Sequence, residues 1–76
     1  MNARAATRKR AADWHWADVK AALEKRGYTL VSLAEMHDYA PSSLTVVKGK
    51  SWPAAEKIIA DAIGVDVSEI WPSRYR

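Results

Sequence analysis

The chain has 76 residues, no cysteine and a formal net charge of +3, and about half of its residues are hydrophobic. That length holds one small core, and the missing cysteines exclude a disulfide framework or a thiolate metal site. No run of about 18 apolar residues is present to cross a membrane, and the basic start MNARAATRKRAA lacks the hydrophobic stretch that a secretory signal needs, so a cytoplasmic protein is expected.

Residues 1–12 carry Arg4, Arg8, Lys9 and Arg10 with no acid, and they read as a flexible basic arm. From Asp13 onward the pattern is helical, which predicts an all-α domain over residues 13–76. Asp13 can cap a first helix running to about Arg26, with Trp16, Val19, Ala22 and Leu23 on one face and Gly27 just past its end. Thr29 can cap a short second helix, in which Leu30, Leu33, Ala34 and His37 recur at helical spacing. Pro41 suits the first turn of a third helix, where the N–H it lacks would have no partner, and Leu44 and Val47 are its inward positions. Ser51 can cap the fourth, with Pro53 in its first turn and Ala55, Ile58, Ile59, Ala62 and Ile63 on one face before Gly64 ends it. Asp66 can cap a last helical turn carrying Val67, Ile70 and Trp71, which Pro72 stops.

The second and third helices are separated by a few residues only, as in a helix-turn-helix. Ala34 is small where two helices would pack closely, and Asp38 stands four residues later, where the turn needs a positive φ. Asp and Asn are the side-chain-bearing residues that tolerate that conformation best. The third helix lies in YAPSSLTVVKGK, Tyr39 to Lys50, which has three Ser or Thr hydroxyls in its middle, two lysines and no carboxylate. Positive charge is therefore concentrated in the arm and in this stretch, while the remaining segments are slightly acidic. Such a division favours a polyanionic partner, most commonly nucleic acid.

Other conspicuous residues read as structure. Trp52 and Trp71 fit a core, and Trp14 and Trp16, two positions apart, point to different faces. His15 and His37 fit capping or packing, and two histidines do not make a zinc site alone. Asp61, Asp66 and Glu69 fit solvated helix surface and caps; no nucleophile accompanies them. No catalytic residue, metal site or cofactor is expected.

DWHWADVKAALEKRG, LAEMHDYAPSSL, WPAAEKIIADAIG and the closing IWPSRYR together resemble the Ner proteins of Mu-type transposable phages and their bacterial Ner-like relatives. The resemblance implies a small lambda-repressor-like domain of about five short helices. It also implies binding to double-stranded operator DNA and negative regulation of early transcription. Carried onto this sequence, the helix-turn-helix falls on Leu30 to Gly49, with Pro41 to Lys48 as recognition helix. Ala40, Pro41, Ser42, Thr45 and Val46 would turn toward the major groove. Lys48 and Lys50, with Arg8, Lys9 and Arg10 of the arm, would meet phosphate. Thr29 and Ser43 complete the expected DNA-contacting set.

Two other readings stay open on sequence: a non-specific nucleic-acid binder led by the arm, and a protein-interaction module docking through Val46 and the arm. No long dimerisation helix is visible, so a monomer or a weak dimer that pairs on DNA is expected.

Overall fold

The computed structural model describes residues 12–75. Among the described residues there are four α-helices, α1 (Trp16–Lys25), α2 (Leu30–Met36), α3 (Pro53–Ile63) and α4 (Val67–Ile70), and two 3-10 helices. One of these, Ser43–Lys48, follows α2; the other, Pro72–Arg74, closes the chain. Among the described residues there is no strand.

The core is built from the expected apolar positions. Val19 and Leu23 of α1, Leu30, Leu33 and Ala34 of α2, Leu44 and Val47, and Ala55, Ile59, Ala60 and Ile63 of α3 are all buried, with Ile70 and Trp71 beneath them. Trp14, Trp16 and Trp52 are half-buried against this cluster. Tyr39 meets Trp52 edge to face, with ring centroids 5.4 Å apart.

The first three α-helices each end on a left-handed residue. Gly27 (φ 86°) ends α1, Asp38 (φ 63°) ends α2 and Gly64 (φ 94°) ends α3. At the first two the chain doubles back in the same way: Tyr28 N–H donates to Leu23 O and Tyr39 N–H to Ala34 O, at 2.9 and 2.8 Å. Both orphan carbonyls are thereby satisfied. Asp38 thus takes the positive φ expected of it.

The caps follow the sequence in part. Thr29 and Ser32 form a reciprocal capping box, at 2.9 and 3.0 Å, and Asp66 accepts from Ser68 N–H at 2.9 Å. Three expectations are corrected. Asp13 does not cap α1, because its carboxylate accepts from the N–H and hydroxyl of Ser73, at 2.9 and 2.6 Å; His15 Nδ1 accepts from Ala17 N–H instead. Ser51 does not cap α3; Trp52 is the N-cap residue, and its N–H donates to the Glu56 carboxylate at 2.9 Å. His37 is exposed rather than core-facing, because α2 ends at Met36 and Asp38 turns the chain away.

The two ends of the described chain are tied together. Trp14 N–H donates to Ile70 O at 2.9 Å beside the Asp13–Ser73 pair. The DW start and the WPSRY end thus form one seam.

Candidate nucleic-acid interface

The segment after Asp38 departs from the expectation in one respect. It was expected to be helical from Pro41; instead 41–42 form a turn and a 3-10 helix begins at Ser43. With about three residues per turn, side chains three apart eclipse. Leu44 and Val47 therefore fall on one line and are both wholly buried, which fixes the opposite side outward. A six-residue 3-10 helix is long for its kind, and its fit to α2 rests on those two anchors.

Ala40, Pro41, Ser42, Thr45, Val46, Lys48 and Lys50 are all exposed. Ser43 is half-buried, and its Oγ is buried without a hydrogen-bond partner among the described residues, so its hydroxyl is turned away from the outer surface. Thr45 Oγ1 donates to Ser42 O at 2.6 Å. Lys48 and Lys50 make no ion pair among the described residues. The carboxylate nearest in sequence after them is Glu56, which is wholly buried. The outer face of this segment is therefore small, weakly polar and positive at its far end.

Thr29 lies beside this face. It shares a shallow groove of about 250 Å³ with Thr45, Lys20, Glu24, Leu30 and Val31. Lys20, on α1, was not singled out in the sequence; nothing in its local pattern separates it from other surface lysines, and only the tertiary fold brings it to the groove with Thr45. Arg8, Lys9 and Arg10 lie outside the described residues.

A second group missed in the sequence holds the segment from behind. The Arg74 guanidinium donates to Val47 O at 3.0 Å and Lys50 O at 3.4 Å, and to the Glu56 carboxylate at 2.7 Å. Glu56 also accepts from Trp52 N–H and from the Tyr75 hydroxyl. Arg74 stacks over Trp71, 5.7 Å from the ring centroid. The far end of the 3-10 helix is thus fastened to α3 and to the closing turn. The signal available in the sequence was the Arg-Tyr pair near the chain end; its acidic partner reads locally as an ordinary first-turn glutamate.

Electrostatics follow from these contacts. Burial alone would raise the pKa of Glu56, but the hydrogen bonds from Tyr75, Trp52 and Arg74 and the Arg74 charge together bring it below its ordinary value. The same Tyr75 bond, with burial and the Glu56 charge, raises the phenol to about 12. The Ser68 amide and hydroxyl lower Asp66. No group of three or more His, Cys, Asp or Glu that could hold a metal ion occurs among the described residues. No helix among them is long and apolar enough to cross a membrane.

Residues 13–76 match the family described as winged helix-turn-helix DNA-binding. With no strand among the described residues to form a wing, the likeness lies in the helices. The chain is 48% identical over 63 residues to the negative regulator of transcription of Escherichia phage D108, covering 83% of this chain and 86% of that protein. It is 43% identical over 63 residues to the Mu-like prophage FluMu DNA-binding protein Ner of Haemophilus influenzae, covering 83% and 71%. The solution structure of the Mu Ner protein matches with a TM-score of 0.75 at 44% identity, over 90% of this chain and 92% of that one.

Proposed function

The chain belongs to the winged helix-turn-helix DNA-binding family and, within it, to the Ner proteins; it is a DNA-binding transcriptional regulator, and we propose that it acts as a negative regulator of early phage or prophage transcription. The observation that carries this reading is the carboxylate-free outer face from Tyr39 to Lys50, set on a helix-turn-helix whose inner side is fully anchored. Placed in the major groove of operator DNA, Ala40, Pro41, Ser42, Thr45 and Val46 face the base edges. Lys48 and Lys50 then lie near phosphates, with Thr29 and Lys20 at the groove's edge. A carboxylate on that face would meet phosphates and the acceptor-rich groove; none is there.

Residues 1–12 act as a basic arm that adds phosphate contacts through Arg8, Lys9 and Arg10, and residues 13–76 as the binding domain. The protein works in the cytoplasm as a monomer or weak dimer, two copies pairing on half-sites about one helical turn apart. The longest helix among the described residues has 11 residues, which fits pairing on DNA better than pairing through a long coiled coil.

Footprinting on the DNA upstream of the chain's own gene tests the reading. A discrete protected stretch is expected. Uniform weak protection would replace sequence-specific binding with binding by charge alone, and no protection would replace it with protein docking.

A further inference from the structure

We infer that the outer face of the recognition segment reads thymine 5-methyl groups, with Val46 and the γ-methyl of Thr45 as the reading groups. This rests on the duplex-binding reading above and adds the chemical mark that is recognised.

The segment's three aliphatic hydroxyls, on Ser42, Ser43 and Thr45, are not equivalent. Ser43 Oγ is buried. Thr45 has its only hydroxyl proton engaged by Ser42 O at 2.6 Å, so toward a base edge it offers a methyl and acceptor lone pairs. Ser42 is left as the one exposed hydroxyl of the three, and it caps no backbone N–H. Around it, Ala40 and Pro41 present only carbon, and Val46 is 48% exposed. No Asn, Gln, Arg or carboxylate occurs between Tyr39 and Lys50 to make a paired hydrogen-bond contact with a base.

In the major groove each base pair shows donors and acceptors, and the only apolar mark is the thymine methyl. A face with so few free donors discriminates best by covering that mark, since both methyl surfaces leave water together. A single exposed valine is ordinary on a protein. Here it stands between buried Leu44 and Val47 and just before Lys48 and Lys50, which make no ion pair among the described residues, in a stretch free of acid from Tyr39 to Ala55. Glu24 lines the groove with Thr45 and Asp38 sits in the preceding turn; both are exposed and stand on other elements. Charge complementarity therefore points the apolar face at a polyanion, and the one polyanion with apolar marks in a groove of helix width is duplex DNA.

The test begins with selection of the preferred site from random-sequence duplexes by the full chain. Deoxyuridine then replaces each thymine in turn, which removes one methyl and keeps the base pair. At one or two positions affinity is expected to fall about fourfold, the equivalent of one lost buried methyl. Val46→Ala is expected to bind thymine and uracil duplexes alike at its own position. If the selected sequence is preferred yet no uracil changes affinity, methyl reading is overturned while sequence-specific binding stands. If the uracil effect persists undiminished in both Val46→Ala and Thr45→Ser, the assignment to these side chains is overturned. If no sequence is enriched, the duplex-reading proposal fails and this one with it.

Discussion

At the seam where the two ends of the described chain meet, Asp13 accepts two hydrogen bonds from Ser73, and Glu56 is held by Trp52, Arg74 and Tyr75. Along the segment from Tyr39 to Lys50 there is no carboxylate, and the lysines stand free of ion pairs among the described residues. The seam engages its carboxylates internally, Asp13 through hydrogen bonds from Ser73 and Glu56 through hydrogen bonds and the Arg74 ion pair, and so turns them into fixed geometry. The segment leaves its charges to the solvent. Arg74 joins the two, because the guanidinium that pairs with Glu56 also holds the carbonyls of Val47 and Lys50. The comparison teaches that groups which fix the fold and charges left exposed on the surface can be kept apart in a domain this small, with a single side chain setting one against the other.

Breaking the seam has the largest expected effect. Glu56→Ala leaves Arg74 without its partner in a largely enclosed site, and loss of one member of a buried pair costs about 3–5 kcal/mol; urea unfolding monitored by helical signal measures it. Equal stability of the variant and the parent would show that the pair is dispensable.

The seam should also shape the pH profile. Glu56 titrates below its ordinary value of 4.5 in the fold, so its contribution is present above 4.5 and is lost as pH falls through the lower folded value. Tyr75 is raised from 10.0 to about 12; its contribution is intact below 10.0 and is lost as pH rises through about 12. Thermal melts across pH should therefore show an acid limb that Glu56→Gln flattens and an alkaline limb that Tyr75→Phe removes. Unchanged limbs in both variants would place the pH dependence elsewhere; Asp66, also lowered, would then be examined by Asp66→Asn.

Much of the fold was legible because its signals are local. Thr29 caps through its own neighbour Ser32, Leu44 and Val47 need only a short spacing to share a face, and Asp38 takes the turn because so few other residues can. The seam was not legible, since Asp13 and Ser73 lie 60 positions apart and Asp13 satisfies a local capping pattern equally well. Glu56 likewise sits four residues after Trp52 as a normal early-helix acid would; its burial depends on Arg74 and Tyr75, which arrive from the other end of the chain. The 3-10 form of the recognition segment is set by packing against α2 and by the Arg74 bonds, neither of which leaves a pattern in those twelve residues.

On the segment itself, effects are smaller and fall on binding. Lys48→Ala should lower the slope of log affinity against log salt by about one, the loss of one phosphate contact, and leave the preferred sequence and the melting temperature unchanged. A salt slope near zero in the parent would contradict phosphate contact altogether.

The smallest expected effect sharpens the link between the two helices of the motif. Asp38→Gly relieves the left-handed strain at φ 63° and should stabilise the fold by about 0.5 kcal/mol, part of the gain being offset by the freer unfolded chain. Asp38→Val, at the same position, should destabilise it by about 1–2 kcal/mol. Denaturant midpoints of the two variants read both signs, and a destabilised glycine variant would mean that the Asp38 side chain supplies a bond the turn needs.

Titrating a duplex that carries the selected site into isotope-labelled protein, and following each backbone amide by NMR, compares the two regions directly. The amides of Ala40 and of Ser42 to Lys50, with Thr29, are expected to shift most, while those of Val67 to Trp71 and Ser73 to Tyr75 stay in place except near the Arg74 contact. Shifts concentrated on the seam, with the recognition segment unmoved, would contradict the assignment of the DNA-reading face.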